Sequence, residues 1–83
     1  MKAYTQDAHE TITYRAVPTS GTIASATATI TPTGPTLGAI TNLGTEAYLK
    51  VSALTAGTRH VLEVLATLTS GDIRRFWCAI TGE

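Results

Sequence analysis

Apolar and polar residues alternate with a period of two along most of this chain, and that alternation predicts strands throughout. The longest example is GTRHVLEVLATLTSGDIRRFWCAI, residues 57–80, which holds the sole Trp, Cys and Phe. It reads as a hairpin of strands 59–69 and 73–81 turning at Ser70-Gly71-Asp72. A three-residue loop fits a type I turn followed by a left-handed residue. It pairs Thr69 with Ile73, Ala66 with Phe76, Val64 with Cys78 and Leu65 with Trp77. One face is then wholly apolar: Leu62, Val64, Ala66, Phe76, Cys78 and Ile80. A two-residue loop would slip the pairing by one and put Trp77 on the Val64 face.

In the preferred register Val61, Leu65, Arg75 and Trp77 share the outer face, with the Arg75 guanidinium in reach of the indole. Either another part of the chain covers this patch or it is a protein contact surface, since Trp and Arg are common interface anchors. These four residues are the candidate interface.

The remaining strands follow in the same way. Residues 10–17 place Ile12, Tyr14 and Ala16 on one face and Thr11, Thr13 and Arg15 on the other, and Pro18 ends the ladder. Residues 22–31 place Ala24, Ala26, Ala28 and Ile30 inward, with Ile23 breaking the alternation. A stiff Pro32-Thr33-Gly34-Pro35 loop follows. Residues 36–42 form a short strand anchored by Leu37 and Ile40, with Gly38 marking a bulge. Residues 46–53 face Ala47, Leu49 and Val51 inward. Residues 1–9 read as a polar arm, extended unless a sheet edge pins it, and residues 10–83 as one domain.

Six or seven short strands without helical periodicity predict an all-β chain, an antiparallel β-sandwich of immunoglobulin-like type; a small barrel is the alternative. The Cys…Trp…Cys pattern of antibody domains is absent. At 83 residues the chain suffices for one domain with a thin core, burying about 60–65% of its unfolded surface. Thr, the most abundant residue, suits strands, and Ala fills narrow gaps between sheets.

Charge narrows the function. Six cationic and six acidic side chains cancel, with no basic stripe for nucleic acid. No apolar run approaches the ~20 residues of a membrane span, and the N-terminus does not read as a signal peptide. The expected setting is a cytosol or a particle assembled there. One Cys closes no internal disulfide, and Cys78 reads as core packing rather than a reactive thiol.

Candidate chemistry is sparse. Asp7, His9 and Glu10 lie together in the arm, where nothing rigid would hold them for catalysis. His60 reads as a hydrogen-bonded histidine at the sandwich rim. The two histidines are too far apart for usual metal-ligand spacing, and Glu63 and Asp72 form no carboxylate pair. No cofactor and no enzymatic activity are expected. Tyr14, Tyr48 and Trp77 could stack on a sugar, which makes a carbohydrate- or protein-binding module the alternative reading.

Read in order, several motifs together resemble a family of small bacteriophage virion proteins, the immunoglobulin-like fibre–tail adaptors. They are Glu10-Thr11-Ile12-Thr13-Tyr14, Ile23-Ala24-Ser25-Ala26-Thr27-Ala28-Thr29-Ile30, Pro32-Thr33-Gly34 and Thr45-Glu46-Ala47-Tyr48-Leu49-Lys50-Val51-Ser52. Leu54-Thr55-Ala56-Gly57-Thr58-Arg59-His60, Thr69-Ser70-Gly71-Asp72 and Arg75-Phe76 complete the series. The resemblance implies a non-enzymatic structural protein of a phage or prophage, present in several copies on the tail or neck of the virion. Its partners would be tail or neck subunits and fibres.

Overall fold

The computed structural model describes residues 2–83. Eight strands form two facing sheets: β1 (Lys2–Gln6), β2 (Ile12–Ala16), β3 (Ile23–Thr31), β4 (Thr36–Leu37), β5 (Thr41–Asn42), β6 (Ala47–Ser52), β7 (Arg59–Leu68) and β8 (Ile73–Gly82). One sheet has the order β1-β8-β7-β3; the other has β2-β6-β4, with β5 also pairing β6. The all-β, two-sheet sandwich expected from the alternation is present, with no helix among the described residues.

Alternation sorts the side chains as expected. Val51 and Ile80 are fully buried, and Leu49 and Leu62 nearly so. They form one core with Ala16, Ile30, Leu54 and Val64, while Ile23, Ala47, Ala66 and Leu68 form a second cluster. Each of the buried Val, Leu and Ile side chains contributes about 1.5–3 kcal/mol by leaving water.

Four readings need correction. The hairpin register is off by two: Val64 faces Phe76, Leu62 faces Cys78, Ala66 faces Arg74, and Leu65 and Glu63 lie across from Arg75 and Trp77. The loop does have three residues, but they are Thr69-Ser70-Gly71, closed by Leu68 N–H donating to the Asp72 carbonyl (2.7 Å) and Gly71 N–H to that of Leu68 (2.9 Å). Gly71 takes the left-handed position, φ 93°, which a residue without Cβ adopts at least cost. A slip of two leaves every side chain on its predicted face.

Second, residues 2–6 of the expected arm are a strand, parallel to β8 from Lys2↔Cys78 to Gln6↔Gly82. The sheet edge pins the segment, and the sandwich is therefore not wholly antiparallel. Met1 lies outside the described residues.

Third, the strand expected over 36–42 is split. β4 and β5 both pair with β6, but in registers one residue apart. The slip falls in the stretch that begins at Gly38, whose N–H still donates to the Lys50 carbonyl (2.8 Å).

Fourth, Ala24 points outward rather than into the core. The β3–β7 register shifts between Ile23 and Ser25, so an extra residue bulges there and lets Ile23 bury instead.

Candidate interaction surface

The four residues singled out from sequence do lie on one face, the outer side of the β1-β8-β7-β3 sheet. Strand parity puts Val61 and Leu65 of β7 there, beside Arg75 and Trp77 of β8. Leu65 is 38% exposed and Trp77 41%; Val61 is half-buried. The Arg75 Nε donates to Glu63 Oε2 at 2.5 Å, and its Cζ lies 5.1 Å from the centre of the indole. Glu63 stands directly across from Trp77, so one guanidinium serves a cross-strand carboxylate and a ring on its own strand. The guanidinium thereby couples the exposed indole to the cross-strand carboxylate.

Ile73, 64% exposed, belongs to the same face and was not among the candidates. Its parity with Arg75 and Trp77 was the available signal. Ser25, Thr27 and Thr29 of β3 are exposed beside it. The result is an apolar centre of Leu65, Ile73 and Trp77 with a hydroxyl-rich flank.

A cleft of about 760 Å³ opens where the two sheets separate, between β2 and the first half of β8. Ile12, Tyr14, Val64, Phe76 and Cys78 are among the residues that line it. Burial pushes the Cys78 thiol pKa up, which keeps it in the less nucleophilic thiol form.

The proposed sugar platform is not assembled. Tyr14 turns inward and donates its hydroxyl to Gln6 Oε1 at 3.0 Å. Tyr48 lies on the outer face of the other sheet, with the Arg15 guanidinium 5.1 Å from its ring centre. Trp77 stands on the opposite side of the sandwich.

Asp7, Glu10 and His60 make contacts within the fold. Asp7 and Glu10 accept from main-chain amides of the β1–β2 loop: His9 N–H to Asp7 Oδ1 and Asp7 N–H to Glu10 Oε1, each 2.8 Å. His60 is 1% exposed. Its Nδ1 lies 2.9 Å from the Pro32 carbonyl; a carbonyl only accepts, so Nδ1 carries the proton. Nε2 is buried without a partner, so this histidine is only half satisfied. Among the described residues no three His, Cys, Asp or Glu side chains converge as a metal-ligand set. No helix among them is long and apolar enough to cross a membrane.

Sequence reasoning missed Gln6, the most consequential polar residue of the sandwich. It is 1% exposed. Its Nε2 donates to the carbonyls of Val51 (2.8 Å) and Glu10 (2.9 Å).

Compared with models of known protein families and with curated protein sequences, the chain matches none.

Proposed function

We propose that this chain is a non-enzymatic structural module of a phage or prophage particle, a small tail or neck adaptor that other virion subunits cover. The observation that carries this reading is the outer face of the β1-β8-β7-β3 sheet, where Trp77, Leu65 and Ile73 stay in solvent around a fixed Arg75. Indole and guanidinium anchors at the centre of an apolar patch with a polar rim are what a protein–protein contact uses. The particle enters this reading through the resemblance of the ordered motifs to those of fibre–tail adaptors.

The strand order supports an immunoglobulin-like arrangement. On this reading β3, β7 and β8 take the places of the C, F and G strands, and β2 and β6 those of B and E in the facing sheet. The parallel β1 extends the first sheet at its edge, and β4 and β5 share the place of one strand beside β6.

The reading is tested by peptide mass spectrometry on gradient-purified particles from an induced culture of the source strain. Several copies per particle would support it. Intact particles lacking the chain would reject it.

A further inference from the structure

β3 is the outer strand of its sheet, with β7 on one side and, among the described residues, no strand on the other. The hydrogen-bond phase says which of its groups face out. Leu68 on β7 bonds to Asp72 and Gly71 on the β8 side, and along an antiparallel ladder alternate residues turn to opposite neighbours. Thr67, Leu65 and Glu63 therefore turn to β3, where they meet Ser25, Thr27 and Thr29. Ala26 and Ala28, between them, turn their N–H and C=O groups to the open edge. At the start of the strand that edge is filled: Ile23 N–H donates to the Gly44 carbonyl (2.8 Å), and Asn42 Nδ2 donates to the Ile23 carbonyl (3.0 Å). Among the described residues no such bond reaches Ala26 or Ala28.

The flank around this edge carries no charge. β4 and β5 lie against β3, and from Ala16 to Thr45 the chain has no Asp, Glu, Lys, Arg or His. Sheets commonly guard an open edge with a charged side chain or a proline. Here a bulge precedes the open stretch and Pro32 follows the strand, and residues 25–29 between them have neither guard. Ala26, Ala28, Leu37 and Ile40 are only half-buried along the same flank. β1 and the end of β8, where Glu83 N–H donates to the Gln6 carbonyl (2.9 Å), lie at the opposite edge of the sheet, out of line with β3.

A partner for this edge has to offer matching main-chain groups, put small apolar side chains inward and hydroxyls outward, and bring no charge to a flank that has none to pair with it. β3 itself meets all three conditions. Turned antiparallel about a two-fold axis at Thr27, it sets Ala26 against Ala28 and Ala28 against Ala26, joined by about four main-chain hydrogen bonds. On the outer face Thr27 meets Thr27 and Ser25 meets Thr29, hydroxyl pairs that favour a sheet. Inward residues stay inward and outward ones outward.

We infer that a second copy of this chain docks edge to edge on β3, joining the two four-stranded sheets into one continuous sheet. The contact is isologous, the same edge serving both copies. It uses a different surface from the Trp77 face and stands whether or not the chain belongs to a virion.

The full chain is followed by sedimentation equilibrium and NMR up to about 2 mM, because a contact this small falls below the ~1,200 Å² of stable complexes and implies a dissociation constant of about 0.1–1 mM. With rising concentration, amide exchange at Ala26 and Ala28 should slow at least about threefold, while that at Thr27, already bonded to β7, stays level. A mixture of labelled and unlabelled chains should show a Thr27 Hα to Thr27 Hα contact between copies, the mark of a non-hydrogen-bonded antiparallel pair. Thr27→Lys brings two cations face to face at the axis and should weaken association at least about tenfold, whereas Thr27→Val, still β-branched, should stay within about twofold. Thr27 is exposed, and unchanged monomer spectra check that both variants fold. A chain that stays monomeric at about 2 mM would overturn the inference and leave the edge to a different polypeptide. So would a dimer indifferent to Thr27→Lys, or one that perturbs Leu65 and Trp77 and leaves Ala26 and Ala28 unchanged.

Discussion

The hydroxyl of Tyr14 on β2 donates to the side-chain oxygen of Gln6 on β1, 3.0 Å away, across the gap between the two sheets. The same glutamine donates twice to carbonyls, one of them Val51 in the other sheet. One side chain thereby ties an edge strand of the first sheet to the second and leaves none of its own polar groups idle. A buried amide costs stability unless its hydrogen bonds are made; here they are made only when β1 is docked.

Gln6→Ala should therefore cost more than its size suggests. It strips the Val51 carbonyl and the Tyr14 hydroxyl of a partner and leaves a cavity. We expect a loss of about 2–4 kcal/mol in urea unfolding, the sum of lost hydrogen bonds and an unsatisfied buried group. Amide exchange along β1 should accelerate more than along β6.

Alkali should act through Tyr14. Burial, with lesser contributions from Cys78, Tyr4 and Glu10, raises its pKa to about 12 from 10.0. Below pH 10 the phenol is neutral in both folded and unfolded chains, so its contribution is fully present. Between pH 10 and 12 the unfolded chain gives up the proton more readily, and stability falls as pH rises. Tyr14→Phe should lower stability at neutral pH by about 1 kcal/mol and flatten the decline over that window in parallel unfolding series.

Gly82→Ala should open the closed end of the sandwich. A Cβ at Gly82 would run into the Thr55 carbonyl, and backbone cannot step aside like a flexible side chain. Gly82 also donates to Thr58 and accepts from Gly57, so the clash would disturb the 53–58 connection as well. A loss of at least about 2 kcal/mol is expected in denaturant melts.

How far sequence led depended on the kind of information each feature carries. The inward sets were legible because strand alternation is local: Leu62, Val64 and Ile80 were assigned correctly even in the wrong register. The register itself was not, because a shift of two keeps every face. The discriminating signal was Gly71, the natural left-handed residue of a three-residue loop, which puts Asp72 on the strand side of the turn. β1 was hidden for a different reason. Its partner is β8, at the far end of the chain, and a segment reading Lys-Ala-Tyr-Thr-Gln has no apolar run to announce it. Gln6 in isolation looks like a solvated side chain; only the fold supplies the carbonyls that justify burying it. The candidate face followed from parity alone, yet Ile73, with the same parity, was omitted beside the more conspicuous Trp77.

The ion pair on the outer face should matter little to folding. Glu63→Gln removes the Arg75 partner at a half-exposed site, and surface pairs of this kind contribute about 0–1 kcal/mol. Thermal unfolding should shift by only a few degrees. The freed guanidinium should leave the indole more mobile, read as a changed Trp77 fluorescence anisotropy.

The central claim is that the Trp77 face is covered by other subunits in an assembled particle. Its most direct measurement is the amount of a Trp77→Glu chain incorporated into particles relative to the unaltered chain, each quantified by mass spectrometry after gradient purification. Trp77 stands in solvent, so the variant should fold with a loss of about 1 kcal/mol, mostly from a carboxylate facing Glu63. A buried carboxylate at the centre of an interface should cut incorporation at least about tenfold. A folded Trp77→Glu chain entering particles at the normal level would contradict the account.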